Sequence, residues 1–118
     1  MEIEAPARLR RAAAATLEAV GITDGHVAIM LVDAEEIRRL NREFRGIDAP
    51  TDVLAFPVDG SGGEAAELGD VVICPEHTVD LQEAAVHGVL HLCRYDHERD
   101  DGEMLALQDR VVAELRAS

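Results

Sequence analysis

Residues 87–97 read His-Gly-Val-Leu-His-Leu-Cys-Arg-Tyr-Asp-His and hold three of the five histidines of the chain. His87 and His91 are four residues apart, so on a helix they lie on one face, about 6 Å apart along the axis. His97 follows six residues later and can join them only if the helix ends after His91 and the chain turns back. Three histidines with an open fourth position are typical of catalytic zinc. The segment therefore predicts a central helix whose histidines, with His97, bind one zinc ion.

The spacing of these histidines is also that of the metzincin peptidases, whose pattern HExxHxxGxxH has ligands at positions one, five and eleven. Gly88 stands where that pattern has its general-base glutamate, and Arg94 stands where it has glycine. These two differences make a metallopeptidase-like hydrolase the weakest of the functions that the segment allows. The alternative to a metal site is that two histidines happen to share a helix face and that the third histidine is unrelated to them.

Composition limits the partners that the chain can have. Its 118 residues are enough for one domain, 1–118, around a single core. The formal net charge is −13, and every basic residue is an arginine. This acidic balance argues against a general nucleic-acid coat, which usually needs a basic surface, but it allows a local basic groove.

The cysteines and the apolar segments bear on location. Cys74 and Cys93 fall in different predicted elements, and the first residues do not have the basic and apolar regions of a secretory signal. No apolar stretch of the sequence approaches the roughly 18 residues that would span a membrane. We therefore expect a cytoplasmic protein with no disulfide framework and no membrane partner.

Hydrophobic periodicity and turn residues predict the secondary structure. Pro6 fits the first position of a helix, and the apolar run 26–32 is typical of a buried strand. Residues 59–68, rich in glycine and acids, predict a mobile surface loop. The predicted strands are 1–4, 26–32, 52–58 and 69–74, and the predicted helices are 7–20, 34–45, 80–93 and 103–116. This order indicates an α+β fold, a small mixed β-sheet packed with helices.

The predicted helix 34–45 carries the main basic feature of the chain. Asp33 with Glu36 three residues later is typical of a helix start. Ile37, Leu40 and Phe44 are predicted to face the core. The other face forms a basic ridge, which consists of Arg38, Arg42 and Arg45.

Several ordered blocks resemble one family. Segment 87–97 is similar, at every fixed position but one, to the signature HGxLHLxGYDH of the YbeY family of bacterial metal-dependent endoribonucleases. Upstream, LNREFR at 40–45 and PTDVLAFP at 50–57 resemble two further family blocks, and GDVVI at 69–73 resembles a family strand. The closing helix matches at Met104, Leu107 and Gln108. Together these blocks cover roughly residues 30–115.

The resemblance implies a function as well as a fold. It implies a zinc-dependent endoribonuclease that cleaves single-stranded RNA in ribosomal RNA maturation and ribosome quality control, with ribosomal RNA precursors and the ribosome as partners. His87, His91 and His97 match the family's zinc ligands, and Arg45 matches its functionally important arginine. A guanidinium suits this role, because it can contact two oxygens of a phosphodiester as negative charge builds on them.

Other readings of these residues stay open. Asp96 could orient a ligand histidine or simply cap the turn, and Arg38 and Arg42 could extend a phosphate track or be surface charges. Arg45 could instead have no part in catalysis and serve only as a positive charge that interacts favourably with the C-terminal end of the helix dipole. As a whole, the chain could be a ribosome-associated assembly factor with a structural metal site.

Three departures from the family pattern are visible. Arg94 replaces a signature glycine, where we expect a left-handed backbone after the helix, at a cost of roughly 1–2 kcal/mol for a residue with a Cβ. Ala55 replaces a serine of the PTDVLSFP block. The connection between the strand 69–74 and His87 is shorter than is typical of the family.

Overall fold

A four-stranded mixed β-sheet forms the centre of this computed structural model, which describes residues 1–58, 67–96 and 99–117. The strands are β1 (Glu2–Glu4), β2 (His26–Leu31), β3 (Val53–Pro57) and β4 (Glu67–Ile73). Their order in the sheet is β1-β2-β4-β3. β2 runs parallel to both β1 and β4, and β3 pairs antiparallel with β4 at one edge of the sheet. The edge position suits Pro57, which has no N–H to donate to a neighbouring strand.

Helices cover both faces of this sheet. The helices are α1 (Ala7–Ala19), α2 (Ala34–Arg45), α3 (Leu81–Leu92) and α4 (Glu103–Ala117), and a 3₁₀ turn at Pro75–His77 precedes α3. Val71 and Ile73 of β4 join the core formed with α1, α3 and α4, whereas Val72 between them packs with Ile37 of α2. Successive strand residues point to opposite faces, so α2 lies on the face away from the other helices. The predicted α+β fold with a mixed sheet is confirmed.

Helix α3 lies against the sheet at Gly88. A Cβ built at this position would be 2.4 Å from Val71 Cγ1 and 3.2 Å from Val53 Cγ2. Real carbon atoms do not approach so closely, so glycine is what allows α3 to sit on β3 and β4 at this depth. Since position 88 faces the sheet, a metzincin-type glutamate would clash there.

The start of β4 corrects one prediction. The strand begins at Glu67, two residues before the predicted start at Gly69, because His26 pairs with Glu67 and the Val58 N–H donates to the Leu68 carbonyl at 3.2 Å. The predicted loop 59–68 is therefore wrong for its last two residues. The remainder, 59–66, lies outside the described residues.

Phe44 is a second correction. It was predicted to face the core, but 64% of its surface is exposed. The buried positions of α2 are taken by Ile37 and Asn41, and the Asn41 amide donates to the Ala49 carbonyl at 2.9 Å. This bond draws the connection after α2 against the helix, so the core under α2 ends before Phe44.

Two further expectations concern helix boundaries and the membrane. Asp33 caps α2 as predicted, since its carboxylate accepts the Glu36 N–H at 2.8 Å. In the part of the chain that the structure describes, none of the helices is both long enough and apolar enough to cross a membrane.

Candidate metal site and substrate cleft

His87 and His91 turn their ring nitrogens towards one another on the exposed side of α3. Nε2 of His87 lies 3.1 Å from Nε2 of His91, and the two rings meet edge to face with centroids 4.7 Å apart. Both rings line a surface cleft that is bounded by α2, β3, α3 and the connection to α4. The spacing of four residues therefore does what the sequence predicted and brings two nitrogens to one point.

Gln108 of α4 fixes the orientation of the His87 ring. Its side-chain oxygen lies 2.7 Å from Nδ1 of His87, and Gln108 itself is only 7% exposed. An amide oxygen can only accept, so the ring proton of His87 sits on Nδ1 and Nε2 keeps its lone pair. Metal-binding histidines are commonly held in this way through their second nitrogen.

The two nitrogens fit a shared zinc ion. Nitrogens bound to one tetrahedral zinc at about 2.0–2.1 Å lie about 3.4 Å from one another, close to the 3.1 Å found between His87 and His91. Both donors are imidazoles, which zinc accepts readily. The donor chemistry and the separation of the pair therefore agree with the predicted metal.

The third predicted ligand, His97, lies outside the described residues. Among residues 1–58, 67–96 and 99–117, three or more histidine, cysteine or acidic side chains nowhere come together as a metal-binding group. The three-histidine site therefore stays a prediction, of which the structure describes two members.

The turn after α3 has the backbone geometry that the sequence suggested. Arg94 is left-handed, with φ 73, and it is the one described residue other than glycine with a positive φ. Its N–H donates to the His91 carbonyl and the Tyr95 N–H donates to the Leu90 carbonyl, both at 3.1 Å. This is the Schellman pattern, which usually has glycine where Arg94 stands. It ends α3 at Leu92, one residue after His91, and starts the reversal that the metal prediction requires.

The side chain of Arg94 reaches into the cleft region as well. Its guanidinium donates to the Val58 carbonyl at 3.1 Å, which ties the end of α3 to the end of β3. Ala55 also lines the cleft, so the hydroxyl of the family's serine is absent from this wall. Beside the turn, burial raises the pKa of the Cys93 thiol to about 11, as expected of a protonated core side chain.

The arginines of α2 divide into paired and unpaired members. Arg38 donates to Asp48 at 2.8 Å and holds the pKa of that carboxyl below its usual range, and Arg42 lies 3.9 Å from the same carboxylate. Neither lines the cleft with the histidines. Arg45 does line it, and its guanidinium makes no hydrogen bond or ion pair within the described residues. Only Arg45 of the basic ridge is placed to meet a ligand beside the histidines.

Acidic side chains from the α3–α4 connection line the same cleft. Asp96 has a carboxylate oxygen 3.4 Å from Nε of Arg99, and its backbone carbonyl accepts from the next turn. Asp100 accepts the N–H groups of Gly102 and Met104, both at 2.9 Å, and so begins α4. These contacts show Asp96 and Asp100 shaping the connection; the predicted role of Asp96 towards a ligand histidine remains a prediction.

The family model described as "Endoribonuclease YbeY" matches residues 2–116 of this chain. The chain belongs to the YbeY family. A curated protein named "Endoribonuclease YbeY" from Anaeromyxobacter sp. (strain Fw109-5) is 42% identical over 119 residues, which cover 90% of this chain and 62% of that protein. One of the same name from Rubrobacter xylanophilus is 46% identical over 95 residues, or 78% and 69% of the two chains. This chain thus spans about three fifths to two thirds of the length of these YbeY relatives.

A solved structure shares the fold. The solution structure of TM1509 from Thermotoga maritima is 32% identical and superposes with a TM-score of 0.57, covering 98% of this chain and 91% of that one. The resemblance to the YbeY family that the sequence blocks indicated is therefore confirmed by the family match.

The sequence did not reveal the part that Gln108 plays. Gln108 matched a family block, but its contact with His87 emerges only when α4 packs beside α3. A signal was present: Met104, Gln108, Val111 and Leu115 share one face of α4, and three of these four are apolar. A polar residue in the middle of a buried apolar stripe has to find a hydrogen-bond partner.

Proposed function

We propose that this YbeY protein is a zinc-dependent endoribonuclease that cleaves single-stranded RNA. We further propose that it acts in the cytoplasm on ribosomal RNA precursors, in ribosomal RNA maturation and ribosome quality control, in association with the ribosome. The observation that carries the proposal is the 3.1 Å separation of the two Nε2 atoms of His87 and His91, which line the cleft. The names of the YbeY relatives support the reaction class.

In this proposal the metal is held by His87, His91 and His97, within one domain formed by residues 1–118. Gln108 keeps the proton of His87 on Nδ1, so that Nε2 is available as a ligand. When bound, zinc acts as a Lewis acid and lowers the pKa of a water molecule to about 7, so that no strong protein base is needed. This agrees with glycine at position 88, where a peptidase would keep a glutamate.

Arg45 is the proposed catalytic arginine. Hydrolysis of a phosphodiester builds negative charge on its non-bridging oxygens, and a guanidinium can donate to two of them together. The absence of a carboxylate partner for Arg45 in the described part of the chain leaves its donors available. Asp96 is proposed to orient a ligand histidine. Arg42 and Arg38 are proposed to attract the RNA phosphates only at longer range, because the Arg38 guanidinium is already bonded to the Asp48 carboxylate.

The metal and the activity can be tested on one preparation. Protein purified without added metal should contain about one zinc per chain by elemental analysis, and it should cleave single-stranded RNA until a chelator is added. His91→Ala should lose both the zinc and the cleavage. RNA cleavage that persists in this variant would assign the activity to a contaminant. Zinc and RNA binding without any cleavage would instead support a ribosome-associated assembly factor.

The role of Arg45 needs a separate comparison. Arg45→Ala should lower the rate of RNA cleavage about 100-fold while the zinc content stays at one per chain, because removing a donor to developing charge costs about that much. Arg39→Ala is the matched control, since Arg39 lies on the same helix but is engaged by Glu36 and Glu43. If both variants cleave RNA like the unmodified protein, Arg45 is only a helix-end charge.

A further inference from the structure

Phe44 is an aromatic side chain that the fold leaves exposed. It is 64% exposed, and among the large apolar residues that the structure describes only Val79 is more so. The chain has only two phenylalanines and one tyrosine, so one of its three aromatic rings is turned to solvent. The packing of the core does not account for this, because α2 is already anchored by Ile37 and Asn41.

The ring of Phe44 is held in place by Phe56. The two ring centroids are 5.1 Å apart with an angle of 67° between the planes, which is an edge-to-face contact. Phe56 belongs to β3 and packs against the core on the α2 side of the sheet. One aromatic ring of the pair is therefore fixed by the fold, and it supports a second ring that is mostly open to the cleft.

The surroundings of the pair indicate what could bind there. Phe44, Phe56 and Arg45 line the same cleft as His87 and His91. Phe44 and Arg45 are consecutive, and Arg45 has no ion-pair partner among the described residues, so an apolar ring and a cation are presented together at the end of α2. A nucleotide offers the matching pair, a flat base and a phosphate, whereas an apolar peptide would leave the guanidinium without a partner.

We propose that Phe44, supported by Phe56, stacks on an unpaired base of the RNA in this cleft, while Arg45 contacts a phosphate of the same strand. This proposal rests on the proposed endoribonuclease function and adds a base-binding position to it. Stacking on an aromatic side chain is a general means of holding single-stranded RNA with little dependence on sequence. It also gives a physical basis for single-strand preference, because the bases of a duplex are stacked on one another and do not reach a ring on the protein.

The test measures binding to two RNA probes that differ only in their bases. The probes are a short fluorescent oligoadenylate and an abasic oligoribonucleotide of the same length, with a chelator present to prevent cleavage. We expect Phe44→Ala and Phe44→Leu each to weaken binding of oligoadenylate about tenfold by fluorescence anisotropy. Phe44→Trp should bind it at least as well as the unmodified protein. None of the three should change binding of the abasic probe.

Val79→Ala is the matched control, since it removes an exposed apolar side chain that does not line the cleft. The proposal is overturned if Phe44→Leu binds oligoadenylate like the unmodified protein, because leucine keeps the apolar contact but has no ring. It is also overturned if the abasic probe loses as much affinity as oligoadenylate. If the Phe44→Ala variant cleaves single-stranded RNA like the unmodified protein, the stacking proposal fails while the proposed endoribonuclease function stands. An unmodified protein that binds neither probe, and that also fails to cleave single-stranded RNA in a separate assay without chelator, would remove the proposed function.

Discussion

The chain uses histidine in two sites whose hydrogen-bond partners are opposite in kind. At one end of the sheet, His26 lies between two carboxylates, with Nδ1 2.8 Å from Glu67 and Nε2 2.9 Å from Glu4. In the cleft, Nδ1 of His87 instead faces the amide oxygen of Gln108, and Nε2 faces His91. The first site joins β1, β2 and β4; the second joins α3 to α4.

The difference shows how the partner decides what an imidazole can do. Two carboxylates favour the ring with both protons, and they raise the pKa of His26 to about 9, with Glu67 the larger contributor. Such a ring has no lone pair left for a metal. An amide oxygen carries no net charge and accepts the N–H at Nδ1 of His87, so that Nε2 faces His91. We refer to the two sites as the sheet clamp (Glu4, His26, Glu67) and the cleft pair (His87, His91).

The largest expected effect comes from changing the partner of the cleft pair. Gln108→Leu removes the acceptor for Nδ1–H of His87, so the ring is no longer held with Nε2 towards His91. We expect zinc affinity to fall about 10–100-fold, the usual cost of losing such a partner. The measurement is zinc binding by competition with a chelating dye.

Gln108→Glu and Gln82→Leu separate orientation from packing. A glutamate can accept the same proton, so Gln108→Glu should bind zinc about as well as the unmodified protein. Gln82 lies in the first turn of α3, away from the histidines, and Gln82→Leu should leave zinc affinity unchanged. If Gln108→Leu also binds zinc normally, the contact with His87 has no part in metal binding.

A smaller effect is expected at the sheet clamp, and it depends on pH. The pKa of His26 is raised on folding, so its contribution to the free energy of unfolding is fully present below the unfolded pKa of about 6.5. It is lost as the pH rises through the folded value of about 9. His26→Gln should therefore be less stable than the unmodified protein at pH 6, and the gap should close by pH 10. Urea unfolding at both values measures this.

The His26→Gln variant and the unmodified protein share every other titrating group. The difference between their free energies of unfolding therefore reports mainly the titration of His26. Because the Glu4 and Glu67 side chains are 70% and 44% exposed, added salt should also reduce the gap at pH 6. Zinc affinity should be the same in both proteins, since the clamp lies outside the cleft. A gap that is equal at pH 6 and pH 10 would mean that the ring of His26 contributes only packing.

These two sites also show how far the sequence could go. The spacing of His87 and His91 is a local property of a helix, so it predicted the meeting of the two nitrogens. The left-handed residue at 94 was predicted from the family resemblance, because the YbeY signature has glycine at this position; the arginine itself gives no such signal. Gln108 was out of reach, since its contact depends on how α4 packs against α3.

Long-range pairing explains the other errors as well. Glu67 and Leu68 follow a segment rich in glycine and acids, and only their bonding to β2 and β3 makes them strand. Phe44 continues the apolar spacing of α2, but the core beneath the helix ends at Asn41. Periodicity states which residues could share a face; it does not state how far the opposing surface extends.

The smallest expected effect concerns the backbone beside each histidine site. The residues with positive φ next to the sheet clamp are glycines, Gly25 and Gly69. Next to the cleft pair, the residue with positive φ is Arg94. Removing the Cβ with Arg94→Gly relieves about 1–2 kcal/mol of left-handed strain, offset by about 0.5–1 kcal/mol for the freer unfolded chain. We therefore expect the free energy of unfolding to rise by at most about 1.5 kcal/mol, measured in urea with a chelator present.

The reverse change at the end of α1 completes this test. Gly21 has φ 77 and the same pattern of bonds as Arg94, with its own N–H to Glu18 and the Ile22 N–H to Leu17. A Cβ there would meet nothing within 4 Å, so Gly21→Arg should cost strain without a clash.

The strain and the unfolded-chain contributions are equal and opposite in the two variants, because the same two residue types are exchanged at the same position of one motif. Arg94→Gly additionally loses the bond from the guanidinium to the Val58 carbonyl. The amount by which its gain falls short of the loss in Gly21→Arg therefore measures what the Arg94 side chain contributes. Equal and opposite values would mean that the bond from Arg94 to the Val58 carbonyl adds nothing to the stability of the fold beside the cleft.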